Sequence, residues 1–113
     1  MKIDCISDLH GYYPKLDGGD LLIIAGDITA RDIEEQYLDF NIWLTRQNYK
    51  KVVIVAGNHD NYLQSRKAGK RFFFVGCYLK DSETEFEGFK IYGSPWTSTF
   101  PGINPHCCAF TVK

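Results

Sequence analysis

Three short stretches of this chain carry side chains of the kinds that hold metal ions: Asp8-Leu9-His10-Gly11, Gly26-Asp27 and Gly57-Asn58-His59-Asp60. Together they offer carboxylates, imidazoles and an amide oxygen. That mixed oxygen and nitrogen donor set suits manganese, iron or zinc better than calcium. Taken singly, each has a plainer use. Asp8 and Asp27 fit turn caps, Asn58 fits a turn residue that tolerates left-handed backbone, and His10 and His59 fit hydrogen-bonded loop histidines. Taken together, three such endings in this order point to metal chemistry. Two carboxylates converging without a cation also repel, by about 3 kcal/mol at ~5 Å and an effective dielectric near ~20. That repulsion is itself an argument for a bound cation.

The elements that must position these groups are short apolar runs. Lys2-Ile3-Asp4-Cys5-Ile6-Ser7, Leu21-Leu22-Ile23-Ile24-Ala25 and Lys51-Val52-Val53-Ile54-Val55-Ala56 each stop where a polar stretch begins. They are too short for helices and rich in β-branched residues, and the third has the near-continuous apolar pattern of a parallel strand buried on both faces. In open α/β sheets ligands bind beyond the carboxyl ends of the strands. Between the second and third runs, Ile33, Tyr37, Phe40 and Leu44 recur at helical spacing, with Asp32 as N-cap and Glu35 in capping-box position. This predicts a crossover helix from Ile33 to Asn48 with its aromatic stripe in the core. A short helix over Asn61 to Lys67 and a strand over Arg71 to Val75, stopped by Gly76, are expected next. Glu83 to Phe86 and Phe89 to Tyr92 flank Glu87-Gly88 as a tight hairpin. The expected class is α/β, giving way to a hairpin-rich segment, in one domain over residues 1–113.

The Asp8-Leu9-His10, Gly26-Asp27 and Gly57-Asn58-His59-Asp60 blocks resemble the first three signature blocks of the calcineurin-like metallophosphoesterases. Ile91-Tyr92-Gly93-Ser94-Pro95-Trp96 resembles the small-phosphodiesterase, MPPED-type branch. The likeness runs over essentially the whole chain. It implies the N-terminal half of a β-sandwich flanked by helices, and hydrolysis of a phosphodiester by a metal-activated hydroxide at a site of two divalent ions. By the same resemblance Asp8, His10 and Asp27 serve the first ion, Asp27 bridges, and Asn58 serves the second. His59 contacts the phosphate and protonates the leaving group, and Asp60 orients His59 through its other ring nitrogen. The family's later His and Gly-His-x-His blocks are not in this sequence, whose three histidines are His10, His59 and His106. The expectation is therefore a truncated front half, with at most one ion well bound. The alternative is a non-catalytic remnant that acts only as a metal- or partner-binding module.

Bulk properties narrow the classes. With 44% hydrophobic and 15% aromatic residues the chain is composed to pack a core rather than to stay disordered. A net charge of -1 gives no global attraction to nucleic acid or to an anionic membrane. No stretch approaches the ~20 apolar residues needed to span a bilayer, and Met1 leads straight into the first strand with no secretory signal. Cys5, Cys77, Cys107 and Cys108 then read as reduced thiols of a cytoplasmic protein, with Cys5 in the core. The expected partners are a small phosphate ester and a complementing C-terminal half, or self-association in its place. Arg66-Lys67 and Lys70-Arg71 read as a solvated face that could also steer a phosphate, and His106 as a surface or packing residue.

Overall fold

The apolar runs form strands of one sheet. The computed structural model describes residues 1–64, 74–98 and 109–112. In it β1 (Ile3–Ile6), β2 (Gly19–Ala25), β3 (Tyr49–Val55) and β4 (Cys77–Tyr78) lie side by side in that order, all parallel. The register pairs Ile6 with Ile24 and Ala25 with Val55, so the first three strands finish almost level. The helix α1 (Glu34–Thr45) is the crossover from β2 to β3.

The pleat sends alternate residues to opposite faces, and each face has a cover. Leu22, Ile24 and Ile54 pack with Tyr37, Phe40 and Leu44 of α1. On the other face Leu21 and Val53 pack with Leu79, and Ile23, Val55, Cys77, Phe86 and Ile91 close around them. Phe86 and Ile91 belong to an antiparallel hairpin of β5 (Ser82–Phe86) and β6 (Phe89–Gly93). Its two turn residues, Glu87 (φ 48°) and Gly88 (φ 85°), both take the left-handed backbone that a two-residue hairpin turn needs. The helix α2 (Asn61–Gln64) follows the third polar stretch, and a short parallel pair, β7 (Thr97–Ser98) and β8 (Thr111–Val112), completes the described part. The architecture is α/β with a parallel sheet and few helices, as expected for the front part of the resembled fold.

Four local expectations are corrected. The N-cap of α1 is Ile33, not Asp32, and no side chain caps it. Asp32 instead accepts the Tyr37 hydroxyl at 2.5 Å and the Tyr62 N–H at 3.1 Å, while Gln36 Oε1 takes the Arg31 N–H at 2.7 Å. Tertiary partners outcompeted the local cap. The helix also ends at Thr45 rather than Asn48, because the Asn48 carbonyl is already engaged by the Gly19 N–H at the start of the sheet. Cys5 is exposed rather than core: β1 is the outer strand, and the packing of the hairpin face involves residues of β2, β3 and β4. Finally, Phe74 and Val75 lie outside any strand, and β4 begins after Gly76. Much of the predicted Arg71–Val75 strand, the end of the predicted second helix, both basic pairs, His106, Cys107 and Cys108 lie outside the described residues. No helix among the described residues is long and apolar enough to cross a membrane.

Candidate metal centre

Because β1, β2 and β3 are parallel and end level, their following loops emerge together. Backbone hydrogen bonds then sew the loops into one layer. Asp8 N–H donates to Gly26 O at 3.0 Å, His10 N–H to Asp27 O at 3.0 Å and Gly11 N–H to Ile28 O at 3.1 Å. The third loop joins through side chains: His59 N–H donates to Asp27 Oδ1 at 2.8 Å.

The close approach of the second and third loops requires their glycines. A Cβ on Gly57 would sit 2.4 Å from Asp27 Oδ1, and one on Gly26, whose φ is +86°, would sit 2.6 Å from Gly57 Cα. Asp8, His10 and Asp27 themselves hold left-handed backbone, at φ 53°, 45° and 55°. Such conformations cost an L-residue about 1–2 kcal/mol each. Strain of this kind collects at functional sites, where surrounding structure enforces it.

The result is convergence. One ligand atom from each of Asp8, His10 and Asp27 lies within 4.8 Å of the others, the single such cluster of His, Cys, Asp and Glu among the described residues. His10 Nε2 is 3.8 Å from Asp8 Oδ1 and 4.0 Å from Asp27 Oδ2. Asp8 is exposed, and the Ser7 hydroxyl on its Oδ2 at 2.7 Å helps hold its pKa below the usual carboxylate value. Asp27 is pushed the other way, first by burial and further by the neighbouring Asp8. A cation between the two carboxylates relieves both costs. Two carboxylates and an imidazole gathered on strained backbone therefore fit a divalent transition metal.

His59 stands beside this cluster, its ring edge-on to His10 with centroids 5.2 Å apart and its Nε2 3.4 Å from Ala30 O. Asn58 is half-buried in the same turn, and its carbonyl accepts the Ala109 N–H at 3.0 Å. Thr97 N–H in turn reaches Phe110 O at 3.0 Å, so the Gly-Ser-Pro-Trp loop borders the Asn58 side. That loop is pinned by Asp81, which accepts Ser94 Oγ at 2.9 Å and Trp96 Nε1 at 2.6 Å.

The Asp60 carboxylate faces inward. It is fully buried, and its four acceptor sites go to the N–H groups of Asp27 (2.8 Å), Ile28 (3.0 Å) and Gly57 (2.7 Å) and to the Tyr37 hydroxyl (3.1 Å). It makes no bond to the His59 ring among the described residues. Burial raises its pKa, against the pull of those N–H donors. Asp32 and the Tyr37 hydroxyl are the participants that sequence reasoning placed elsewhere, as a helix cap and as a core ring. The available signal was a tyrosine in an apolar stripe, since a buried phenol needs a partner.

Residues 1–106 match the calcineurin-like phosphoesterase family. The human "Metallophosphoesterase domain-containing protein 1" is 32% identical over 124 residues, covering 87% of this chain and 38% of that protein. Two "UPF0046" proteins of Caenorhabditis elegans, C25E10.12 and K07C11.7, are 33% and 40% identical over 92% and 85% of the chain. The match takes in 44% and 39% of those two proteins, so the chain spans less than half of each of these relatives. With all three motif blocks inside the matched residues, the chain belongs to the calcineurin-like phosphoesterase family.

Proposed function

We propose that this chain supplies the first-ion ligands and the phosphate-contacting imidazole of a metal-dependent phosphoesterase that hydrolyses small phosphodiesters. The observation that carries this reading is the convergence of Asp8, His10 and Asp27 within 4.8 Å, with His59 alongside. Divalent ions at such a site supply an activated water and neutralise charge on the phosphoryl oxygens. Asp8, His10 and Asp27 would hold the first ion, and Asp27 with Asn58 would serve a second. His59 approaches the phosphate from the His10 side and delivers a proton to the departing ester oxygen, a task an imidazole performs well near neutral pH. The diester preference rests on the resemblance of the Gly-Ser-Pro-Trp loop, which borders the Asn58 turn.

A second reading, a metal- or partner-binding module without catalysis, is favoured by the single three-ligand cluster among the described residues. Metal analysis of the purified chain alongside hydrolysis of bis(p-nitrophenyl) phosphate separates the two. Tight binding of manganese or zinc that Asp27→Asn abolishes supports the metal site, and hydrolysis lost in the same variant supports the enzyme. A chain that binds neither ion defeats both metal readings.

A further inference from the structure

We propose that Tyr37 is a positioning residue for the metal centre: through Asp60 it holds the Asp27 and Gly57 loops in the geometry that brings the ligands together. The consequence for metal affinity rests on the metal-site reading above. The hydrogen-bonded unit itself does not.

The argument starts from burial. Tyr37 is fully buried on the sheet-facing side of α1, yet its ring is not simply core. Its hydroxyl lies 2.5 Å from Asp32 Oδ1 and 3.1 Å from Asp60 Oδ1. A phenol has one proton, so two carboxylates share it. Burial, with the charges of Asp60 and Asp32 beside it, raises the pKa of this phenol and keeps it a donor. Asp60 Oδ1 also takes the Ile28 N–H, and its Oδ2 takes the Asp27 and Gly57 N–H groups. Asp32 in turn accepts the Tyr62 N–H of α2 at 3.1 Å, and its own N–H is held by the Thr29 hydroxyl at 2.8 Å.

Tyr37 thus links α1, α2 and two of the three ligand loops at one oxygen. The three N–H groups orient the Asp60 carboxylate, and the Tyr37 hydroxyl, carried on a helix, ties that carboxylate to the core. Asp60 in turn holds the N–H of Asp27, whose φ is 55° and whose carboxylate approaches His10. Tyr62 stacks on Tyr37 at 5.2 Å, so the ring has packing support that does not depend on the hydroxyl.

The test is Tyr37→Phe, which deletes one oxygen and keeps the ring, beside Tyr62→Phe as a control on the same stack. In metal-free protein, amide exchange at Asp27, Ile28 and Gly57 should accelerate about 10- to 100-fold in Tyr37→Phe, the scale of one hydrogen bond to a charged group. The amides of Leu22 and Ile24 in the β2 ladder should not follow. Manganese affinity, measured by calorimetry, should fall by a similar factor, while Tyr62→Phe should match the parent in both. Unchanged loop amides in Tyr37→Phe, or equal acceleration of the β2 amides, overturn the proposal whatever the metal does. Faster loop exchange in Tyr37→Phe, with a parent chain that binds no metal, upholds the hydrogen-bonded unit and removes the phosphoesterase reading.

Discussion

Asp60 Oδ2 accepts the backbone N–H of Asp27 at 2.8 Å, so the last residue of the third motif sets the backbone of the last residue of the second. The side chain that fixes this candidate ligand is therefore remote in sequence and hidden from solvent, and it acts on a peptide group.

Removing that carboxylate should be costly. In Asp60→Asn one oxygen becomes an N–H donor, so that either the Asp27 and Gly57 N–H groups or the Ile28 N–H loses its acceptor and faces a second donor. Each buried donor left unpaired costs about 1–3 kcal/mol. Urea unfolding should show a loss of roughly 3 kcal/mol or more, and a variant within about 1 kcal/mol of the parent would show that the N–H cradle contributes little.

Gly57→Ala addresses the close approach of the loops. The new Cβ would meet Asp27 Oδ1 at 2.4 Å, against a loop whose backbone is already tied to β1. The ligand carboxylate must move, and overpacking of this kind costs about 1–3 kcal/mol. Manganese affinity should drop about tenfold or more. Retained affinity in a folded variant would mean that Asp27 is not the ligand.

His59 should separate binding from chemistry. His59→Ala should leave metal affinity nearly intact, because the three-ligand cluster does not include it. In any active form turnover should fall by about 10²–10⁴, the usual contribution of a positioned acid or base. Loss of metal as complete as in Asp8→Ala would instead make His59 a ligand.

Metal binding should be linked to protons. Burial raises the Asp27 pKa above the ordinary aspartate value in the metal-free protein, whereas binding needs the carboxylate. An acid whose folded pKa is raised favours folding while protonated. That contribution is full below the unfolded value and is lost as pH rises through the folded one. Buried Asp60 shifts in the same direction, while Asp8 shifts oppositely but is exposed and screened. Metal-free protein should thus lose part of its stability as pH climbs from about 4, and manganese should restore it with proton release. Thermal unfolding with and without metal across that range checks the sign. A metal-free stability that rises throughout would contradict it.

Stoichiometry bears on catalysis. With three histidines in the sequence and one three-ligand cluster among the described residues, calorimetric titration should saturate near one ion per chain. Hydrolysis of a nitrophenyl diester by the chain alone should be weak, because one ion does not brace both attacking and leaving oxygens. Co-expression with a segment of a relative bearing the later His and Gly-His-x-His blocks should raise turnover. Ordinary enzymatic rates from the isolated 113-residue chain would end this expectation.

The parts of the molecule that follow from short-range pattern were legible in the sequence. The first three strands announce themselves by short apolar runs rich in β-branched residues, the hairpin by Glu87-Gly88, and the loops beyond the strands by their polar residues, because alternation, turn chemistry and strand length are local properties. The three motif blocks therefore put Asp8, His10 and Asp27 at neighbouring strand ends, and the sheet order brings them within reach of one ion. Tertiary structure alone decided the rest. Asp32 has an N-cap's composition and position, but a buried phenol and the Tyr62 amide bind its carboxylate in place of the helix terminus. Cys5 sits in a strand, but its exposure depends on which strands the hairpin covers. Asp60 adjoins His59 in the chain and so reads as its partner, yet it turns inward to three amides and a tyrosine 23 residues away. Asp32 and Asp60 each had both a neighbour in sequence and a neighbour in space. Burial decided for the second, because an unpaired polar group costs most where water cannot reach it.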